Sequence, residues 1–144
     1  MADAVAIPTK PSTAQLFALP DEFPGKISAQ KAKLKTLRSG ITQYTNDAAK
    51  VAEMLQKKYD ASTAQSYGAQ SLLNQFKEYA EDCKNKIREM KTVTSKLCTL
   101  LEEVQVAHPT TKEEAEYELA IAVAEEAKYT SKHTDLMLKW GGAI

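Results

Sequence analysis

The stretch that decides the fold runs from Ala69 to Val104, AQSLLNQFKEYAEDCKNKIREMKTVTSKLCTLLEEV. Its apolar and small residues recur at alternating steps of four and three, which keeps one face of an α-helix apolar. We predict a long helix over about residues 63–106, spanning roughly 65 Å. That length is well beyond the few turns typical of globular proteins. The predicted buried seam comprises Ala69, Leu73, Phe76, Ala80, Cys83, Ile87, Met90, Thr94, Leu97, Leu101 and Val104.

The same spacing predicts one further helix on each side of this stretch. The first covers about residues 28–59, with Ser28 as its N-cap. Its predicted seam comprises Ile27, Leu34, Leu37, Ile41, Tyr44, Ala48, Val51 and Leu55. The third covers about residues 111–139, and its predicted seam is polar in two places. That seam comprises Ala115, Leu119, Ala122, Glu126, Tyr129, His133, Leu136 and Trp140.

The third helix follows a helix stop at His108-Pro109. Two capping boxes overlap there, Thr110 with Glu113 and Thr111 with Glu114. In a capping box the glutamate reaches back to the backbone amide of its own threonine. We therefore predict that these glutamates serve the start of their own helix.

Two short connections make the three helices antiparallel neighbours. Counting from the turns places Ile27 level with about Ser95 and Val123. The predicted fold class is therefore all-α, a staggered antiparallel three-helix bundle or coiled coil with a long central helix and an irregular N-terminal tail. In this register the hairpin tip of the first two helices extends beyond the third and is only half covered. We expect this candidate interaction surface to comprise Val51, Leu55, Leu73 and Phe76.

The sequence divides into a tail at residues 1–26, a helical bundle at 27–140 and a C-terminal end at 141–144. The tail contains four of the five prolines, Pro8, Pro11, Pro20 and Pro24, and ends near Gly25. It also contains the apolar segment TAQLFALPDEF, in which Leu16 and Phe17 are candidate interaction residues. By the same register this segment falls beside the end of the second helix, over which it could fold back. A linear motif for a partner and a segment that docks nowhere are the alternatives.

The charges balance, with 19 Lys and Arg against 19 Asp and Glu in 144 residues. A neutral chain has no global field to attract nucleic acid or an anionic membrane. The start of the first helix is locally basic, and a weak anion patch for RNA or a phosphoinositide is one interpretation of it. A solvated, partly neutralised face is the interpretation we favour. The residues concerned are Lys31, Lys33, Lys35 and Arg38.

The sequence offers little catalytic or metal-binding chemistry. Cys83 and Cys98 would lie roughly 22 Å apart on one helix, too far for a disulfide or a shared zinc site. His133 shares a helix face with Glu126 and Tyr129, but two ligands do not complete a metal site. We interpret that set as a buried polar pair that fixes helix register. We expect no catalytic, cofactor or metal site, no transmembrane segment and a cytoplasmic location.

Two segments resemble the helical N-terminal region of Gag from BEL/Pao-type LTR retrotransposons. They are KLKTLRSGITQYTNDAAKVAEML (Lys33 to Leu55) and TKEEAEYELAIAVAEEAKYTSKHTDLMLKW (Thr111 to Trp140). The shared pattern is a basic start, a threonine-containing amphipathic helix, a long middle helix and an acidic opening to the last helix. The resemblance implies a non-enzymatic assembly region ahead of capsid-forming parts. The chain lacks the cysteine-histidine zinc knuckle of a complete polyprotein, so the resemblance does not extend to RNA packaging.

We therefore expect a non-enzymatic helical protein–protein interaction and self-assembly module, in its favoured version a Gag-like scaffold region. One alternative is a cytoskeletal or adaptor coiled coil that binds a foreign helix. Another is a lipid-binding amphipathic bundle, which would need broader apolar faces than these seams. The expected partners are a second copy or another helical protein.

Overall fold

The structure, a computed structural model, describes residues 10–11, 14–61 and 67–140. Three helices make up the fold: α1 (Phe23–Ala61), α2 (Tyr67–Ala107) and α3 (Lys112–Trp140). Two short 3-10 turns accompany them, Leu16–Ala18 ahead of α1 and Pro109–Thr111 between α2 and α3. The described residues contain no strand, so the prediction of an all-α fold with three helices is confirmed.

The chain separates into two compact units, and each helix contributes a segment to both. Unit 1 comprises residues 1–37 and 89–128, and unit 2 comprises residues 38–88 and 129–144. Unit 1 thus combines the start of α1 with the end of α2, and unit 2 combines the end of α1 with the start of α2. The two helices therefore run antiparallel within each unit.

The buried face of α2 follows the predicted four-three spacing. Its buried side chains are Leu72, Phe76, Ala80, Cys83, Ile87, Met90, Thr94, Leu97, Leu101 and Val104. At the first turn the prediction is wrong, because Leu72 is buried and Leu73 is only half-buried. The predictions for Ala69 and Trp140 lie outside the described side chains. The heptad spacing therefore identifies the core-facing side of the longest helix.

The first helix begins at Phe23, so the predicted start at Ser28 and the tail boundary at residue 26 are wrong. Pro24 lies in the first helical turn, where its missing N–H would have no helical partner. The backbone N–H of Phe23 donates to Asp21 Oδ1 at 3.1 Å, which satisfies one free donor of that turn. Pro11 and Pro20 lie outside the helix as predicted, and Pro8 lies outside the described residues.

The register of α1 against α2 also differs from the prediction. The predicted register places Thr45 level with about Lys77. In unit 2 the Thr45 hydroxyl instead lies 3.4 Å from the Cys83 thiol, a shift of about six residues. The reason is that α1 continues to Ala61 and α2 begins at Tyr67, so the centre of their connection lies further along the chain. The predicted helix start at residue 63 lies outside the described residues.

The new register buries the hairpin tip that the sequence predicted to be half covered. Val51, Leu55 and Phe76 are 5%, 0% and 0% exposed, so the prediction of an open surface here is wrong. The shift places Val51 and Leu55 opposite the large side chains of Phe76 and Leu72 instead of beyond them. These side chains belong to one buried cluster, which we call the hairpin cluster. Leu136 and Met137 of α3 pack against it, as does the half-buried Leu73. Its members are Ala48, Val51, Ala52, Leu55, Leu72, Phe76 and Ala80.

The third helix is buried less than the other two. Only Ala115 and Ala122 of its predicted seam are fully buried, at 0% and 6% exposure. The remaining described seam residues are half-buried: Leu119, Glu126, Tyr129, His133 and Leu136. Alanines bury little area and Glu and His resist full desolvation, so this seam cannot draw α3 deeply into the core.

Substitutions in the hairpin cluster distinguish a buried core from an exposed binding surface, because a charge destabilises the fold only in a core. Replacing Leu55 with Glu places an unpaired charge at a fully buried position and should cost more than about 4 kcal/mol of unfolding free energy. The neighbouring Met54 is 51% exposed, so Met54→Glu should change it by about 0.5 kcal/mol. Urea denaturation followed by circular dichroism measures both. If Leu55→Glu keeps full stability and only changes the oligomeric state, the burial described here is incorrect.

Candidate functional site

An open groove of ≈ 410 Å³ lies in unit 1 between the start of α1 and the end of α2. Its residues come from one face of each helix, because they follow the three-four spacing of an α-helix. They are Lys26, Ala29 and Gln30 of α1 and Lys96, Thr99 and Leu100 of α2. About one turn of each of two antiparallel helices thus lines the groove.

The groove combines an apolar surface with positive charge. Ala29 and Leu100 supply apolar surface, and the two lysine side chains add their aliphatic stems. The Thr99 hydroxyl donates to the Ser95 carbonyl at 3.1 Å, so its hydrogen-bonding need is met within α2. Lys26 and Lys96 are the charged members of the lining set, and both are cationic. The groove therefore favours a ligand that combines apolar surface with acidic groups.

The lining of the groove includes one polar atom without a partner among the described residues and one weakly paired cation. The Oε1 atom of Gln30 is buried and has no hydrogen-bond partner among the described residues. A buried acceptor without a donor raises the free energy of the folded state. Lys26 forms an ion pair with Glu22 at 3.1 Å, but both side chains are more than half exposed, so this pair is weak. A ligand can therefore engage Lys26 at little cost.

The third helix lies on the other flank of α1 and leaves the groove open. Lys31 of α1 forms an ion pair with Glu118 of α3 at 2.9 Å. Successive helical residues are about 100° apart, so Lys31 projects about 100° to 140° around the helix axis from Gln30 and Lys26. The sequence placed Lys31 level with about residue 127, nine residues beyond Glu118. The shift of α1 by about six residues accounts for most of this difference.

A strap formed by residues 14–22 docks on the helices of its own unit. Leu16 is fully buried, whereas Phe17 is 41% exposed. The backbone amides of Gln15 and Leu16 donate to Glu114 Oε1 at 2.7 and 3.0 Å. The Lys31 ammonium group lies 4.9 Å from the centre of the Phe17 ring. Docking on its own helices is one of the three outcomes that the sequence left open for this segment.

The α2–α3 junction uses its polar residues differently from the predicted capping boxes. Glu114 accepts hydrogen bonds from the strap amides instead of reaching back to Thr111. Thr111 is fully buried, and its hydroxyl donates to the His108 carbonyl at 2.7 Å. The predicted role of Glu114 within its own helix is therefore wrong, because strap docking brings two unpaired backbone donors to its carboxylate.

A histidine–aspartate pair fastens the other end of the strap. His108 Nε2 forms a hydrogen bond with Asp21 Oδ2, and the Phe23 ring meets the His108 ring edge-on with centroids 6.1 Å apart. The bond to His108 is the main reason that the pKa of Asp21 is lowered from 3.8. A lowered pKa means that Asp21 stabilises the fold above pH 3.8 and loses this effect as the pH falls through the folded value.

The structure does not gather the predicted basic residues into one patch. Lys31 is engaged by Glu118 and the Phe17 ring. Lys33 and Lys35 are exposed, but residues two apart on a helix project to nearly opposite sides. Arg38 is half-buried and belongs to unit 2. The sequence analysis did not predict the groove. The feature that could have indicated it is a second row of apolar residues beside the seam of α2, at Val93 and Leu100.

The two cysteines have the properties of structural thiols. Both are free, with Cys83 buried and Cys98 half-buried. Burial raises the pKa of the Cys83 thiol, and it also raises the pKa of Cys98, which Glu102 and Glu126 raise further. A raised thiol pKa keeps the sulfur protonated near neutral pH, and a protonated thiol is a poor nucleophile and metal ligand.

Searches for a metal site, for a membrane span and for similar proteins do not assign a function to the described residues. Across the described residues, no three His, Cys, Asp or Glu side chains are grouped as a metal ion would require. None of the described helices combines the length and apolar character of a membrane span. No protein-family model matches the chain, and no curated protein or solved structure matches it either.

His133 of unit 2 lies in a half-buried position where its proton is disfavoured. Its Nδ1 atom is buried and has no hydrogen-bond partner among the described residues. Burial is the main cause that lowers the pKa of His133 from 6.5, with Lys84 lowering it further and Glu81 raising it. His133, which the sequence analysis interpreted as a residue that fixes helix register, therefore faces Lys84 and Glu81 of α2 within its unit.

A lowered histidine pKa predicts that stability falls on acidification. The unfolded chain takes up the proton first, so the free energy of unfolding decreases as the pH drops from 6.5 toward the folded pKa. His133→Leu removes this titration and the unpaired Nδ1 atom, so its gain over the unmodified protein should be larger at pH 5 than at pH 8. Urea titrations at the two pH values measure the difference. An equal gain at both would contradict the lowered pKa.

Proposed function

We propose that this chain is a non-enzymatic helical protein–protein interaction module whose binding surface is the groove of unit 1. The observation that carries the proposal is the combination of apolar and cationic side chains in one groove between two antiparallel helices. Ala29 and Leu100 offer apolar surface, and Lys26 and Lys96 supply the charge. Grooves of this kind in proteins accept the apolar face of an amphipathic helix.

The expected partner segment is an acidic amphipathic helix. A helix matches the shape of the groove, because its side-chain ridges fit lengthwise between the ridges of two others. Acidic residues beside its apolar stripe would meet Lys26 and Lys96. Exposed ion pairs are worth about 0.2 to 1 kcal/mol each, so charge selects the partner more than it tightens the complex.

Several reactive side chains of the described residues are hydrogen-bonded or at least half-buried, and this supports a binding role over a catalytic one. Glu114 and Asp21 hold the strap, and burial keeps the thiols of Cys83 and Cys98 protonated. Two free cysteines also suit a reducing compartment, so a cytoplasmic location is part of the proposal. A Gag-like scaffold is the version in which the partner is a second copy.

A designed peptide pair tests the proposal on the full chain. An 18-residue helical peptide with an alanine and leucine stripe flanked by glutamates is compared with the same peptide carrying lysines instead. Fluorescence anisotropy should show severalfold tighter binding of the acidic peptide. Amide chemical shifts should change around Gln30 and Thr99 more than elsewhere.

The charge-reversal variant Lys26→Glu, Lys96→Glu provides the matched control, because it should reverse the preference between the two peptides. Failure of the acidic peptide to bind, or equal binding of both peptides, would contradict the proposal. Binding to vesicles that contain phosphatidylserine, abolished by the same variant and without peptide binding, would replace it with the lipid-binding alternative.

A further inference from the structure

The outer face of α3 in unit 1 carries an acidic amphipathic stripe. Its residues follow the three-four spacing that places them on one side of a helix. They are Glu113, Glu116, Ala120, Val123 and Ala127, and we call them the ridge. Val123 is 42% exposed, and both glutamates are exposed. A large apolar side chain exposed beside two carboxylates is the chemistry that the groove favours.

The ridge points away from the core of its own unit. The buried residues Ala115 and Ala122 define the inward side of this part of α3. Ala120 and Ala127 are each five residues beyond one of them, and five residues turn a helix through about 500°, or about 140° net. The ridge therefore faces outward. Its small alanines let another helical surface approach closely.

The ridge and the groove cannot meet within one chain. Glu118 contacts Lys31, which places α3 on the flank of α1 opposite the groove. A second copy has no such restriction. Its ridge is opposite in charge to the groove, since Glu113 and Glu116 would meet a site lined by Lys26 and Lys96.

We propose that copies of this chain associate head to tail, with the ridge of one copy in the groove of the next. This inference rests on the proposed function, because it names the partner of the same groove. The two contacting surfaces differ, so the interface is heterologous and produces a ring or an open chain of subunits. The proposed contact relies on exposed charges and small side chains, so association should be weak and sensitive to salt.

Two complementary charge reversals test the geometry. The groove variant carries Lys26→Glu and Lys96→Glu, and the ridge variant carries Glu113→Lys and Glu116→Lys. Each variant alone presents like charges at the interface and should sediment as a monomer. An equimolar mixture restores opposite charges at every contact and should recover the concentration-dependent association of the unmodified chain. Sedimentation velocity at low salt measures all three, with helicity checked by circular dichroism.

A matched control reverses two exposed lysines elsewhere in unit 1, Lys35→Glu and Lys91→Glu, and should associate like the unmodified chain. Val123→Lys, which leaves the start of α3 unchanged, removes the exposed apolar side chain and brings a like charge to Lys26 and Lys96. It should therefore weaken association severalfold even if the ridge variant folds poorly.

Several results would overturn the inference. They are a monomeric unmodified chain at about 1 mM, a mixture that stays monomeric, or loss of association in the lysine control. If the acidic peptide still binds the groove while the chain remains monomeric, only the second copy is wrong and the interaction module stands. If the peptide does not bind and the chain does not associate, the proposed interaction module and the proposed head-to-tail association are both wrong.

Discussion

The structure depends on the apolar seam of α2 and on where α1 lies along it. The buried residues from Leu72 to Val104 run through both units, so this one helix supplies core to each. Each large side chain contributes about 1.5 to 3 kcal/mol when fully buried, provided that an apolar side chain lies opposite it. The contact between Thr45 and Cys83 marks the register that achieves this in unit 2. With that register Leu55 and Phe76 are fully enclosed.

The weaker burial of α3 follows from its composition and leaves surface for binding. Its inward positions include Ala115 and Ala122, which fill little volume. In unit 1 the strap adds Leu16 to the core, and Glu114 fixes it through two backbone amides. Because the strap and α3 occupy other sides of α1, the groove at Ala29 and Leu100 remains open. The same arrangement turns Val123 outward. Both proposed binding surfaces are consequences of how this core is covered.

Heptad spacing made the helices and most of their buried faces predictable, because periodicity is a local property of the chain. Most of α2 from Phe76 onward was identified in this way. The register was not predictable, because it depends on where the connection between α1 and α2 begins and ends. An error of about three residues at the turn becomes about six in the register, or about 9 Å. Because of that error, the prediction assigned Val51 and Leu55 to an interface, although both lie in the core.

The candidate site was less predictable for a related reason. Pairing of the strap with Glu114 and of Asp21 with His108 joins residues far apart in sequence, and no local pattern distinguishes it from a capping box. The groove at Lys26 and Lys96 likewise exists only once α1 and α2 lie in their actual register. Charge and spacing identified candidate residues, whereas their grouping depends on tertiary structure.

A cysteine placed opposite Cys83 measures the register directly. The Thr45 hydroxyl lies 3.4 Å from the Cys83 sulfur, close enough for a disulfide after Thr45→Cys. Mild oxidation should then give an intramolecular disulfide, in which peptide mapping finds the new thiol joined to Cys83, with helicity unchanged. Gln43→Cys, at an exposed position, is the control and should remain reduced. A disulfide from residue 45 to Cys98, or none at all, would contradict the register on which the core and the groove depend.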